Sequence, residues 1–165
     1  MIPGLTPLGS VHTVISLVAV ALGLVALLRH GGIDATSRSG RWYAGMTIAT
    51  CLTGFGIFEH GGFGKPHALG VVTLLALALA AWAGRRRSGL VPACIETVTY
   101  SLTLFFHMIP AVAESATRLP LSAPWLDDPE APQIQAITGV LFLVFLVGAT
   151  LQVQRLRAAR RLVLV

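Results

Sequence analysis

Four of the five histidines in this chain are predicted to lie at one depth of a lipid bilayer: His12, His60, His67 and His107. Polar side chains that can bind ligands are costly in lipid and are rarely kept for packing alone. Histidine is the commonest metal ligand, and paired axial histidines on facing helices suit a b-type haem. Glu59 and Glu114 fall at the same predicted depth as ligands or as partners of ligands. The pattern predicts a haem or transition-metal site near one face of a membrane.

The segment around His107 carries a longer polar stripe with the spacing of one helical face. Its members follow each other at steps of four, three, four, three and four residues: Glu96, Tyr100, Thr103, His107, Pro110 and Glu114. At 1.5 Å per residue the stripe is about 27 Å long, close to the hydrocarbon thickness of a bilayer. Such a stripe is expected to face the protein interior. Glu96 either pairs with nearby arginines or begins a proton path through Tyr100, Thr103 and His107.

A second stripe, in the first apolar segment, consists mainly of small residues. Its members again step by four and three: His12, Ser16, Ala19, Gly23, Ala26 and His30. Small residues allow membrane helices to approach closely, so this face is expected to pack against a neighbour. Packing does not account for His12 at its outer end, whereas His30 beside Arg29 is expected to be an ordinary interfacial residue.

The composition indicates that these helices lie in a lipid membrane rather than in water. Of 165 residues, 55% are hydrophobic and 12% charged, against about 25% charged in a soluble domain. The net charge of +5 comes without a nucleic-acid-binding motif. Cys51 and Cys94 lie in apolar runs, which predicts neither a disulfide framework nor a thiolate metal site. No pairing of a nucleophile with a base is recognisable, so enzyme catalysis has the weakest support from the sequence and a hydrolase or transferase is not favoured.

Five apolar segments are long enough to be considered membrane spans. They predict a single all-α domain, residues 1–165, made of about five antiparallel transmembrane helices at 8–28, 42–58, 67–83, 92–113 and 135–153. Ten of the twelve Lys and Arg residues follow the first, third or fifth segment. Because basic loops stay on the cytoplasmic side, the N-terminus is expected outside and the C-terminus inside, in a bacterial cytoplasmic membrane.

Several short motifs resemble those of a family of small bacterial inner-membrane proteins of unknown function. They are RSGRWY at 38–43, PH at 66–67, FHMIP at 106–110 with Glu114, and RLP at 118–120. The family has a His-Arg-x-x-Gly-Arg element in its first cytoplasmic loop, where this chain has Ser37 in place of the histidine. The resemblance covers most of the chain and implies a multi-span membrane protein without a defined activity. A looser similarity to small haem-binding membrane cytochromes is architectural only.

Three functional hypotheses follow from these patterns. The first is a small redox protein that binds a metal ion or haem through the four outer histidines. The second is a non-catalytic accessory or assembly subunit of a larger membrane complex or homo-oligomer, packed through its small-residue faces. The third is transport of protons or metal ions along the stripe that begins at Glu96.

Overall fold

The computed structural model describes residues 6–58, 62–86 and 89–163, and these residues form helices joined by short connections. There are five helices within these ranges, and no strand: α1 (Pro7–His30), α2 (Arg38–Gly54), α3 (Lys65–Arg85), α4 (Leu90–Arg118) and α5 (Pro132–Val163). The predicted all-α class is confirmed.

Four of these helices, α1, α3, α4 and α5, are long and apolar enough to cross a membrane. The second helix is the exception, because it has only 17 residues and ends at Gly54 rather than at residue 58. At 1.5 Å per residue its length is about 26 Å, less than the roughly 30 Å hydrocarbon core. The prediction of five spans is therefore supported for four of them.

The helix ends follow from local sequence chemistry. The Thr6 side chain accepts a hydrogen bond from the Gly9 N–H and Pro7 opens α1, while Ser37 caps α2 by accepting from the Gly40 N–H. Gly31 ends α1 in the left-handed conformation, with φ of +71°, a conformation that favours glycine because it has no Cβ. These caps set both ends of α1 and the start of α2.

The fourth helix is the centre of the structure. Its backbone lies close to those of α1, α3 and α5, and the remaining close approaches between helix backbones join α2 to α1 and to α3. Over the described ranges the backbone of α5 therefore lies close to that of α4 alone. The small-residue face predicted for α1 is buried, with Ala19 and Ala26 fully inaccessible. The main apolar core contains Ala26, Ile33, Tyr43, Leu77, Ala80, Tyr100 and Leu104.

Gly23 is the point of closest approach on this small-residue face. A Cβ atom there would lie 2.9 Å from Leu104 Cδ1 and 2.9 Å from Tyr43 Cε2, so the neighbouring side chains would have to move. We expect Gly23→Val to lower the free energy of unfolding by about 1–3 kcal/mol relative to Gly139→Val. Gly139 is the matched control because a Cβ there meets nothing within 4 Å. Equal unfolding midpoints of the two variants in detergent would contradict the close approach.

Candidate functional site

The second helix presents four hydroxyl-bearing side chains along one face. They are spaced by four, three and three residues: Tyr43, Thr47, Thr50 and Thr53. Each of them contacts a polar side chain of α1 or α4. We call these eight side chains the polar seam: Tyr43, Thr47, Thr50, Thr53, Thr103, His107, Ser16 and His12.

Two buried hydrogen bonds join α2 to α4. The Tyr43 hydroxyl lies 2.8 Å from Thr103 Oγ1, and His107 Nε2 lies 3.1 Å from Thr47 Oγ1. Since the Thr103 hydroxyl donates its single proton to the Tyr100 carbonyl at 2.8 Å, it accepts from Tyr43. Tyr43, Thr47 and Thr103 are fully inaccessible, and His107 is 7% exposed. This half of the seam is therefore sealed inside the protein.

Two further contacts join α2 to α1. His12 Nδ1 lies 3.0 Å from Thr53 Oγ1, and the Thr53 hydroxyl donates to the Ala49 carbonyl at 2.8 Å. Thr53 therefore accepts from His12, which fixes the imidazole proton on Nδ1 and leaves a lone pair on Nε2. One turn away, Ser16 Oγ lies 3.4 Å from Thr50 Oγ1, a longer and weaker contact.

The polar stripe predicted on α4 divides into a buried and an exposed part. Tyr100, Thr103 and His107 are buried, in agreement with the expectation that the stripe faces inward. Glu96 is half-buried and lines a cavity at the start of α4. Glu114, at the other end, is exposed and forms an ion pair with Arg118. The structure thus brings the middle of the stripe, and not the end at Glu114, into the seam.

The histidines predicted to share one depth occupy different positions. His12 and His107 contact α2 at Thr53 and Thr47, which are six residues and therefore about 9 Å apart along the helix. Among the described residues, no three His, Cys, Asp or Glu side chains lie close enough together to hold a metal ion. His60 and Glu59, both named in the predicted site, lie outside the described residues.

His67 is held at the start of α3, away from the seam. Its ring stacks on Phe58 and tilts against Phe63, with centroid distances of 5.0 and 5.2 Å. The Gly64 N–H donates to its Nδ1 at 3.2 Å, so the neutral imidazole carries its proton on Nε2. That nitrogen is buried and has no partner within the part of the chain that the structure describes. In this state it is a donor rather than a metal ligand.

The sequence analysis missed the hydroxyl face of α2. Its signal was available, because the spacing of Tyr43, Thr47, Thr50 and Thr53 is the same helical period that identified the α4 stripe. These neutral hydroxyl groups are neither histidines nor carboxylates, the side chains on which the predicted site was based. They supply the partner of every histidine in the seam.

No family model matches this sequence, and neither a curated protein nor a solved structure is significantly similar to it.

Proposed function

We propose that this chain is a multi-pass protein of a bacterial cytoplasmic membrane, with its N-terminus outside, its C-terminus inside and its helices in an antiparallel bundle. The four long apolar helices support membrane insertion. The arginine distribution along the chain supports the orientation. The order of contacts supports opposite directions for α1 and α2, because His12 meets Thr53 whereas Gly23 meets Tyr43.

Within this membrane protein, we propose that the polar seam conducts protons. The observation that carries the proposal is the buried bond between His107 and Thr47, because an ionisable side chain kept inside membrane helices marks a functional path by default. A neutral imidazole can take up a proton on one nitrogen and release the proton of the other. His107 therefore has the chemistry to pass a proton along the seam without a net change in its own charge.

The proposed path extends from the cavity at the start of α4 to the far end of α2. Glu96 lines the cavity, and Tyr100 follows it one turn further along the same face of α4. The Tyr43–Thr103 and His107–Thr47 pairs would continue the path, and the contacts of Ser16 and His12 would complete it. To release its own proton along the path, each of the Thr103 and Thr53 hydroxyls would turn away from the backbone carbonyl to which it donates. Protons would move along it down their electrochemical gradient.

The test is proton flux in vesicles that contain only the purified protein. A potassium diffusion potential would be imposed on proteoliposomes loaded with a pH-sensitive dye. We expect the internal pH to change faster than in protein-free vesicles, and Glu96→Gln to slow that change because an amide does not ionise. A rate equal to that of protein-free vesicles would reject the proposal.

A metal ion or haem bound through His12 is the second candidate, in keeping with a redox role. Metal-ligating histidines usually donate their other ring N–H to a fixed acceptor, and His12 does so towards Thr53 while Nε2 keeps its lone pair. Imidazole suits zinc, copper, nickel and iron. The remaining ligands would have to come from elsewhere, because His107 Nε2 is engaged by Thr47.

An absorption spectrum and a metal analysis decide this second candidate. For protein purified from membranes, it predicts either a Soret band or stoichiometric metal, lost in the variant His12→Ala and kept in His30→Ala. His30 is the matched control because it lies at the opposite end of α1, away from the seam. A colourless, metal-free protein would exclude the candidate without affecting the proton path.

A further inference from the structure

Helix α5 is longer than the crossing of a membrane requires. Its 32 residues are about 48 Å long at 1.5 Å per residue, against roughly 30 Å for the hydrocarbon core of a bilayer and about 40–45 Å with the headgroup regions. From Gln152 onward the helix becomes polar, and four arginines lie between residues 155 and 161. When the apolar part of α5 fills the hydrocarbon core, these arginines lie at the level of the lipid headgroups.

One face of α5 is packed against α4. The ring of Phe145 stacks on that of Phe105, with 5.9 Å between the centroids, and the buried Gln152 side chain donates to Ser101 Oγ at 2.9 Å. Phe145 and Gln152 are seven residues apart, which is two turns along the same helical face. Over the described ranges the backbone of α5 lies close to that of α4 alone. The opposite face of α5 therefore points away from the protein.

This opposite face is apolar at one end and basic at the other. Six residues on it follow each other at steps of four, three, four, three and four, and all six are exposed; we call them the outer row: Leu143, Val147, Thr150, Gln154, Arg157 and Arg161. Leu143 and Val147 are 60% and 61% exposed. The row therefore runs from side chains suited to acyl chains to side chains suited to an anion.

The two arginines of the outer row carry positive charge that no described residue neutralises. Arg157 and Arg161 are about 6 Å apart along the helix axis, and neither has an ion pair within the ranges that the structure describes. Like charges at this spacing repel each other and destabilise a helix. The helix dipole favours cations in the last turn, where Arg160 and Arg161 lie, but its effect falls off before Arg157. An anion between the two guanidinium groups would remove the repulsion.

We propose that the outer row binds an anionic phospholipid such as phosphatidylglycerol, with the phosphate between Arg157 and Arg161 and the acyl chains along Leu143 and Val147. Guanidinium groups bind phosphate oxygens in pairs, and arginines beside a membrane helix attract anionic headgroups. A soluble acidic protein would reach the arginines but not the apolar end of the row inside the bilayer. The inference rests on the proposed membrane insertion of α5 and not on the proton path, because no residue of the outer row belongs to the polar seam.

Titration of the full-length protein in non-ionic detergent, followed by native mass spectrometry, tests the ligand class. The probes are phosphatidylglycerol and phosphatidylcholine with identical acyl chains. We expect phosphatidylglycerol to bind at least ~10-fold more tightly, and Arg157→Ala and Arg161→Ala each to weaken its binding about 5-fold. Binding of phosphatidylcholine should not change in either variant. Equal affinities of the two lipids for the unaltered protein would overturn the proposal.

Arg155→Ala is the matched control for the position of the charge. Arg155 is exposed on the same helix, but its guanidinium group lies over Gly31 at the end of α1 and not on the outer row. We expect the affinity of Arg155→Ala for phosphatidylglycerol to stay within about 2-fold of the unaltered protein, because solvent ions screen a charge that does not touch the phosphate. A loss equal to that in Arg157→Ala would show that total charge rather than the outer row attracts the lipid, and would overturn the proposal.

Glycerol phosphate, which has a phosphate but no acyl chains, distinguishes a lipid from a free anion. We expect it to bind at least ~10-fold more weakly than phosphatidylglycerol, because each buried methylene group adds to lipid affinity. Equal binding of the two would overturn the lipid assignment. Recovery of the protein from detergent-extracted membranes checks insertion separately. Proton flux in phosphatidylcholine vesicles should be unchanged in Arg157→Ala, so the lipid site and the proton path fail independently.

Discussion

Replacing His107 with alanine is expected to reduce proton flux to that of protein-free vesicles and to lower the free energy of unfolding by ~3 kcal/mol. The flux should fall because alanine removes the imidazole that bonds to α2 at Thr47, between the Tyr43–Thr103 pair and the Ser16–Thr50 contact of the proposed path. Stability should fall because the inaccessible Thr47 hydroxyl loses its partner and a cavity opens beside it. Dye-loaded vesicles and unfolding in detergent measure the two effects separately.

The variant His107→Gln separates conduction from folding. Glutamine can keep a hydrogen bond to Thr47 but does not take up a proton near neutral pH. We therefore expect it to recover most of the lost stability while flux stays low. Wild-type flux in His107→Gln would show that protons bypass this position, and the path proposed here would then be wrong.

The inward face of α4 could be predicted from the sequence because one helix determines it. Tyr100, Thr103 and His107 follow the 3.6-residue period, and all three are buried. The small-residue face of α1 was predictable for the same reason, and Ala19 and Ala26 are inaccessible. The spacing of residues within one helix predicts which of its faces is polar and which is lined by small residues. It requires no knowledge of the neighbouring helix.

The partners of these faces could not be predicted, because they depend on how two helices are aligned. Whether His107 meets Thr47 or Thr50 is decided by a shift of three residues, about 4.5 Å, between α2 and α4. The sequence placed His12 and His107 at one depth, whereas their partners on α2 are six residues apart. Packing across the whole interface sets that alignment, and no single segment encodes it.

Helix lengths were predicted least well at the ends that leave the apolar region. Helix α5 runs to Val163, ten residues beyond the predicted span, because its last turns are rich in arginine, alanine and leucine, which favour a helix in water as well as in lipid. Helix α2 ends early, at Gly54, as it approaches a segment rich in glycine. Hydropathy marks where a chain is apolar, and helix propensity decides how far the helix continues.

Thr47→Val is the second change with a large expected effect. Valine matches threonine in shape but removes the hydroxyl, so His107 Nε2 would remain buried without the partner that the structure gives it. We expect unfolding in detergent to show a loss of ~1–3 kcal/mol, and proton flux to fall with it. The matched control is Thr150→Val on α5, where the exposed hydroxyl bonds only to its own helix, at the Leu146 carbonyl.

A double-mutant cycle of Thr47→Val, His107→Ala and the double variant tests whether the two side chains act as one unit. Contacting residues are generally coupled by about 0.5–3 kcal/mol, whereas interhelical hydrogen bonds inside membranes average only ~0.6 kcal/mol. A coupling energy well above that average would mean that the loss of stability comes mainly from leaving the buried His107 Nε2 without a partner, rather than from losing one hydrogen bond. Additive effects on stability and flux would contradict the assignment of Thr47 as the residue that positions His107 for proton transfer.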